Sequence, residues 1–412
     1  MKRKIALVCV AALAGTMMLT GCGSKEEGKA EAAGDGKAKV RFATWDVADD
    51  VDAQQALVDK FNEEHDDIEV TLEAYGSDFD TKISAGMGSG DTPDVVYMWN
   101  YPAYANGLEP LDEYIEKEGE DFKDNIYSTL WNYNSLDGTT YGMPVGFTTH
   151  ALFYNKDLFA EAGIDEPTDD WTWEDLKTAA KTIEEKTGQK GFAFQMKPDP
   201  YDFEMYLWSN GTAYCDEEGQ MAGNIDSAES QEVFQMFQNM EKDGYAIATE
   251  KNGTDEFRAG TAAMYIYGSW SIGSLDKDGM NYGIAKIPSF EGKTSVSILS
   301  SSGLSISKDS KNKEAAWEFV KYWTGEECNK ARIGLELPVL NSVVESEGIM
   351  KEEKYAPFYK MLEQSDGHTP ASFLIEDWSE ISENLSLSFE QLFNPSAYMD
   401  VNEVLTEAAD AQ

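Results

Sequence analysis

The chain has 412 residues and a formal net charge of −43, from 76 acidic and 33 basic residues. This balance argues against nucleic acid or an anionic lipid surface as a partner, because both require clustered Lys and Arg. With 42% hydrophobic and 26% charged residues, most of the chain is expected to fold around sizeable cores, and its length suggests two or three domain-sized units.

The N-terminus has the pattern of a bacterial lipoprotein signal. A basic start, MKRK, precedes an apolar segment over residues 5–18 that is too short to span a bilayer comfortably. LTGC (19–22) follows and resembles the lipobox, in which cleavage precedes a cysteine that becomes lipid-modified. We predict a signal peptide over residues 1–21 and lipidation, with palmitate, at Cys22; an ordinary signal peptide with a coincidental cysteine is the alternative. Residues 22–38 are small, charged and rich in Gly and Ala, which predicts a flexible tether.

Strand and helix patterns alternate at the start of the folded body. The strand patterns cover residues 39–45, 68–74 and 91–99, and the helical patterns cover residues 53–64 and 79–87. We expect Gly88 and Gly90 to end the second helix. The order of strand, helix, strand, helix and strand predicts an α/β domain with a largely parallel sheet.

The later segments continue this mixture. Further helices are predicted over residues 157–162, 173–187 and 313–323, and further strands over 264–267, 282–287 and 303–307. Thr172 is expected to cap the helix at 173–187, and Gly188 to end it. In MYIYGSW (264–270), Gly268 and Ser269 suit a turn that ends a strand and leaves Trp270 just beyond it. The last sixty residues are mostly helical in pattern.

Motifs for enzymatic chemistry are missing from the sequence. It contains no G-x-S-x-G nucleophile elbow and no Walker-type phosphate loop. Carboxylates are so numerous that a solvated acidic surface explains them better than a catalytic pair does. The histidines, His65, His150 and His368, share no ligand spacing with the cysteines. We therefore predict no enzyme, no cofactor and no metal site, while Cys215 and Cys328 are either one disulfide or two separate buried thiols.

Tryptophans recur where the predicted strands give way to loops. Trp45, Trp99 and Trp270 all lie at such transitions, where side chains of open α/β sheets face the ligand crevice. Flat apolar faces beside carboxylates and amides suit sugar rings, and they also suit a cation held by the ring quadrupoles. Packing in the core is the alternative for each tryptophan. Three tryptophans at the same kind of position favour a ligand site.

Beyond these patterns, a set of stretches resembles one protein family, in order, along nearly the whole mature chain. The stretches are GDTPDVVYMW (90–99), NGLEPLDEY (106–114), YGMPVGFTTHALFYNKDLFAEAG (141–163), PTDDWTWEDL (167–176), FRAGTAAMYIYGSW (257–270), YGIAKIPSFEGK (282–293) and SSSGLSISKDSKNKEAAWEFVKYWT (300–324). In these stretches the chain is similar to the extracellular solute-binding proteins of bacterial ABC sugar importers, the maltose-binding-protein-like solute-binding family 1.

This resemblance implies an α/β, two-lobed periplasmic-binding-protein-like fold of type II, with lobes joined by crossover hinge segments. The implied first lobe combines residues 39–148 with 297–339, and the implied second lobe combines 151–294 with 342–412. The crossovers are expected near residues 148–151, 294–299 and 337–341.

The resemblance also implies a set of ligand-binding residues. Trp270 matches an aromatic that stacks on sugar, and Thr148 stands where the maltose-binding branch has an acidic residue. The further aromatic candidates are Trp99, Tyr201 and Trp378, and the polar and small-residue candidates are Asp46, Asp78, Asn100, Ser302 and Gly303.

The function implied is that of a lipid-anchored, extracytoplasmic receptor that captures a carbohydrate, expected to be an oligosaccharide, and delivers it to the permease subunits of an ABC importer. The membrane is reached through the N-terminal lipid only, and the receptor is expected to act as a monomer. Two alternatives stay open. One is a binding protein for a polyamine or cationic osmolyte, and the other is a lipoprotein glycosidase.

Overall fold

The computed structural model describes residues 36–365 and 367–410. The predicted signal peptide, Cys22 and most of the predicted tether lie outside the described residues. From Ala38 onward the chain forms one compact unit. No helix in the described part of the chain is both long enough and apolar enough to cross a membrane.

Twelve strands are found in the described residues. They are β1 (Ala38–Thr44), β2 (Ile68–Ala74), β3 (Val95–Met98), β4 (Ser135–Leu136), β5 (Thr139–Thr140), β6 (Met143–Asn155), β7 (Phe192–Gln195), β8 (Ala246–Thr249), β9 (Met264–Gly268), β10 (Tyr282–Ala285), β11 (Leu299–Ile306) and β12 (Leu337–Pro338).

Eighteen α-helices accompany these strands in the same residues. They are α1 (Asp49–Glu64), α2 (Phe79–Ser89), α3 (Tyr101–Tyr104), α4 (Asp112–Glu118), α5 (Glu120–Asp124), α6 (Ser128–Tyr133), α7 (Lys156–Ala162), α8 (Trp173–Thr187), α9 (Pro200–Ser209), α10 (Ala228–Lys242), α11 (Thr254–Arg258), α12 (Ser271–Lys277), α13 (Lys313–Thr324), α14 (Glu326–Ala331), α15 (Asn341–Ser346), α16 (Ala356–Gln364), α17 (Trp378–Phe393) and α18 (Val401–Asp410). Short 3-10 helices cover Gly76–Asp78, Ala105–Gly107, Ile349–Lys351 and Ala371–Phe373.

The main sheet is mixed in direction. Its strands follow the order β10-β6-β11-β3-β1-β2, and β9 and β12 also pair with β6. β1 pairs in parallel with β2 and β3, as the sequence predicts, whereas β11 runs antiparallel to β3. The prediction of a largely parallel sheet is therefore correct for the first three strands and wrong for the rest. The reason is that β11 returns from the second half of the chain and enters the sheet from the opposite end.

One long strand connects the two halves of the sheet. All thirteen residues of β6 are buried. Residues 143–149 pair with β11, whereas residues 150–154 pair with β9, so the strand changes partners within the first predicted crossover. In the second half of β6, alternate side chains enter two different hydrophobic clusters, Ala151 and Phe153 in one and Leu152 and Tyr154 in the other.

Local signals set the helix boundaries. Thr172 accepts a hydrogen bond from the backbone N–H of Asp175, whose carboxylate accepts from the N–H of Thr172 in return, so α8 begins with a complete capping box. Gly188 ends α8 in a left-handed conformation at φ 73°. The sequence-based bounds of this helix are confirmed. The prediction that Gly88 helps to end α2 is wrong, because α2 continues through Gly88 and ends at Gly90 with φ 74°.

The two cysteines in the described residues are separate. Cys215 and Cys328 are both buried free thiols. Of the two alternatives left by the sequence, the structure has the separate thiols.

Candidate ligand-binding site

A cavity of about 560 Å3 lies where β1, β3, β6, β9 and β11 meet the loops that follow or precede them. It is lined by Trp45, Asp46, Asp50, Gln54, Trp99, Phe147, Thr148, Ser269, Trp270, Gly273, Ser274, Ser300, Ser301, Ser302, Gly334, Leu335 and Glu336. We call this the tryptophan cavity. Its volume lies in the range of cavities that hold small-molecule ligands.

The walls of the tryptophan cavity carry exposed apolar side chains. Trp270 is 47% exposed, Trp99 45% and Leu335 39%. They are three of the six large hydrophobic side chains that are exposed in the described part of the chain. Exposed apolar surface that collects in one concavity marks an interaction site rather than ordinary surface scatter.

A close backbone approach orients the indole of Trp270. A Cβ atom on Gly268 would lie 2.7 Å from Cζ2 of Trp270, so the ring occupies space that only glycine leaves free. The rings of Tyr267 and His150 meet the indole edge-on, with centroids 5.0 and 5.9 Å away. Because Gly268 and these two rings hold the indole against β9, its opposite face remains open.

The turn that carries Trp270 is tied to β6. The hydroxyl oxygen of Thr148 accepts hydrogen bonds from the Ser269 backbone N–H at 2.8 Å and from the Ser269 hydroxyl at 3.0 Å. The Thr148 hydroxyl itself donates to the carbonyl of Thr149 at 2.7 Å. Thr148 therefore lines the cavity and also fixes the loop that presents Trp270.

Two carboxyl groups in the lining are held by hydrogen bonds. Asp46 accepts on Oδ2 from the Thr44 hydroxyl at 2.8 Å and from the Gln54 amide. Glu336 accepts from the Tyr97 hydroxyl at 3.2 Å and from the Ser302 hydroxyl at 3.4 Å. Burial raises the pKa of both carboxyl groups, and these hydrogen bonds oppose the rise.

Glu336 is oriented by buried neighbours. The hydroxyl of Tyr97, which donates to Glu336, accepts a hydrogen bond from Nε1 of Trp323 at 2.9 Å. A Cβ atom on Gly146 would overlap with Oε2 of Glu336, so the carboxyl group rests directly on the β6 backbone. Such a chain of hydrogen bonds gives the carboxyl group one orientation before any ligand arrives.

Charge in the tryptophan cavity has one sign. The ionisable side chains that line it are Asp46, Asp50 and Glu336, and neither Lys nor Arg contributes to the lining. Arg332, a buried cation behind the lining, directs its Nη1 to the backbone carbonyl of Trp323 at 2.9 Å. An anionic group in the cavity would therefore face carboxylates without a cation among the lining residues.

The structure gathers half of the sequence-predicted residues in this cavity. Asp46, Trp99, Thr148, Trp270 and Ser302 line it. The other five lie outside the lining, and their ligand roles stay predictions.

Those five residues have structural contacts of their own. Tyr201 donates its hydroxyl to the Leu299 carbonyl at 2.5 Å, and the Asn100 side chain accepts from the N–H of Ala103 and caps α3. Gly303 is paired within the sheet, Asp78 precedes α2, and Trp378 begins α17 beside the ring of Tyr214.

Sequence reasoning missed Glu336, Gln54, Ser269 and Leu335. A signal for Glu336 exists in LELP (335–338), where a single carboxylate interrupts an apolar run. A charged residue inside such a run is rarely buried without a partner or a function. Among the residues that the structure describes, no group of three or more His, Cys, Asp and Glu side chains is placed to hold a metal ion.

Comparison with known proteins agrees with this geometry. The family model described as bacterial extracellular solute-binding protein matches residues 45–330. The chain belongs to this family. The family consists of solute-binding receptors of ABC importers, and the fold is that of the two-lobed MalE-like binding proteins.

Individual relatives differ in what they bind. The galactooligosaccharide-binding protein of Bacillus subtilis is 27% identical over 372 residues, 85% of this chain and 84% of that protein. An ABC substrate-binding protein of Listeria monocytogenes, solved in complex with cycloalternan, has a TM-score of 0.78 at 24% identity and covers 91% of this chain and 97% of its own. UgpB of Mycobacterium tuberculosis, in complex with glycerophosphocholine, has a TM-score of 0.77 at 19% identity with the same coverage of both chains.

Proposed function

We propose that the protein captures a neutral carbohydrate, an oligosaccharide, in the tryptophan cavity and delivers it to the permease of an ABC importer. The observation that carries this proposal is the combination of two exposed indole faces, Trp99 and Trp270, with the oriented carboxyl groups of Asp46 and Glu336. Sugar rings present apolar C–H faces beside hydroxyl groups, which these side chains match by stacking and by hydrogen bonds.

The charge of the cavity separates this ligand from the phosphate-bearing ligand of UgpB. Each hydroxyl of a neutral sugar both donates and accepts, so it satisfies carboxylates and the lining serines alike. A phosphodiester only accepts, and the lining offers it three carboxylates and no cation. The same acidity together with the indoles favours an amine-bearing solute as the second candidate, because ring faces and carboxylates attract cations.

A thermal-shift panel distinguishes these ligands. We expect galactooligosaccharides or α-glucan oligosaccharides to raise the Tm, because a ligand at 100 times its Kd adds about 2.7 kcal/mol to the free energy of unfolding. Glycerophosphocholine is expected to leave the Tm unchanged. Stabilisation by spermidine or glycine betaine and by no saccharide would replace the sugar with a cationic solute.

Capture is proposed to involve closure of two lobes about β6. The support is the change of β6 pairing partners from β11 to β9 between Thr149 and His150, which places one continuous strand in both halves of the sheet. We propose the lobe boundaries given by the family resemblance, 39–148 with 297–339 and 151–294 with 342–412. A monomer suffices for this motion, and contacts made only in the closed form shift its population.

The receptor is further proposed to be held at the membrane by a lipid on Cys22. The support is the LTGC pattern (19–22) behind a basic and apolar leader. We expect Cys22→Ser to abolish labelling with radioactive palmitate and to move the protein from the membrane fraction to the soluble fraction in a bacterial host. Unchanged membrane association and labelling of the variant would contradict the lipid anchor.

A further inference from the structure

A second cavity, of about 410 Å3, adjoins the tryptophan cavity. Tyr267 and His150 line this second cavity, and both rings contact the indole of Trp270, which lines the first one. The two spaces are therefore separated by the thickness of these rings. We call the second space the histidine cavity.

His150 is the unusual feature of the histidine cavity. Its side chain is only 2% exposed, and within the described residues neither ring nitrogen has a hydrogen-bond partner. The nearest carboxylate oxygen, Oδ1 of Asp202, lies 3.9 Å from Nε2, which is too far for a direct hydrogen bond. A buried polar group left in this state costs about 1–3 kcal/mol, so a bound group that meets it is favoured.

The ring is neutral and offers both kinds of hydrogen bond. Burial lowers the pKa of His150 to about 3, so at neutral pH one nitrogen donates and the other accepts. Asp202 is 38% exposed towards the open side of the cavity, and burial together with the charge of Asp199 raises its pKa to about 7. The pair presents a donor and acceptors at a spacing that one hydroxyl group bridges.

The remaining lining matches a sugar unit. Phe192, Phe194 and Phe237 supply apolar surface, and Asn252 supplies an amide near the rim. Asp199, Asp202 and Glu250 make an anion unfavourable. The one cation of the lining, Lys251, is paired with Asp255 at 2.8 Å.

We propose that the histidine cavity is a further saccharide subsite, in which His150 and Asp202 bind a hydroxyl group of a sugar unit that extends past Trp270. This inference rests on the proposed function. It adds that the ligand has a minimum length, because one unit must stack in the tryptophan cavity before another reaches the histidine cavity.

A chain-length series tests the subsite. Affinities of galactooligosaccharides and maltooligosaccharides of two to five units are measured by calorimetry for the wild type, for Asp202→Ala and for Asp243→Ala. Asp243 is an exposed second-half carboxylate outside both cavities, which makes it the matched control. We expect Asp202→Ala to weaken the longer oligomers at least fivefold and to leave the shortest bound form unchanged, whereas Asp243→Ala changes neither.

A direct probe of the ring accompanies the series. The chain has three histidines, so the imidazole signals in a 13C-edited NMR spectrum are few and His150→Gln assigns the one of interest. We expect the His150 signal to shift with the long oligomers and not with the shortest binder.

Two failures are distinguishable. If the wild type binds saccharides but Asp202→Ala weakens all lengths equally or none, and the His150 signal stays in place, the histidine cavity holds only water and the subsite is overturned. If no saccharide of any length binds the wild type, the proposed function fails and the subsite fails with it.

Discussion

Trp270→Ala is expected to raise the Kd for the saccharide about tenfold or more and to leave the unliganded protein nearly as stable as the wild type. Half of the indole is exposed, so its open face is available for a sugar ring. Aromatic stacking contributes up to about 1.5 kcal/mol beyond the apolar area that it buries, which corresponds to about one power of ten in Kd. Calorimetric titration and thermal unfolding of the unliganded variant measure the two effects.

Leu387→Ala is the matched control for this variant. Leu387 is 45% exposed, close to the 47% of Trp270, and does not line the tryptophan cavity. The control is expected to bind saccharide like the wild type. If Trp270→Ala instead lowers the free energy of unfolding by about 3 kcal/mol or more, as truncation of a core tryptophan does, then Trp270 is a packing residue.

Local elements of the fold could be read from the sequence because their signals are local. The capping box at Thr172 and the left-handed Gly188 set the bounds of α8 to the residue. Gly163, at φ 70°, ends α7 where the sequence places its end. Gly88 misled because glycine is compatible with a helix interior as well as with its end, and only the backbone conformation distinguishes the two cases.

Long-range arrangement could be read only in part. The GLSIS pattern (303–307) predicts a strand but carries no information about the direction in which that strand meets β3. Direction follows from the route of the chain, and here β11 returns from the far half of the molecule. The family resemblance supplied the two-lobed architecture, which strand periodicity alone did not contain.

The candidate site shows the same division. Trp99 and Trp270 follow strands closely, so their place at one edge of the sheet could be inferred from the order of elements. Glu336 joins them through contacts with Tyr97 and Gly146, which lie far earlier in the chain. Neither periodicity nor a short motif records such a contact, so sequence reasoning missed this residue.

Glu204→Gln is expected to flatten the pH dependence of stability and to stabilise the protein at alkaline pH. Glu204 is 1% exposed and accepts a hydrogen bond from the N–H of Ala371 at 3.0 Å. Burial raises the pKa of its carboxyl group to about 8, against about 4.3 for an unfolded chain. The folded state therefore binds more protons between these two values, and the free energy of unfolding falls as pH rises through that window.

The substitution removes this titration, because the amide that replaces the Glu204 carboxyl group keeps an oxygen that accepts from Ala371 and carries no ionisable group. Each pKa unit corresponds to about 1.4 kcal/mol, so we expect a difference of a few kcal/mol above pH 8 and little difference at pH 5. Denaturant unfolding from pH 5 to pH 9 measures it, with Glu380→Gln, an exposed glutamate of α17, as the control. Parallel pH profiles for the wild type and E204Q would show that Glu204 keeps its charge when buried, because other titrating groups, such as Asp202, contribute equally to both proteins.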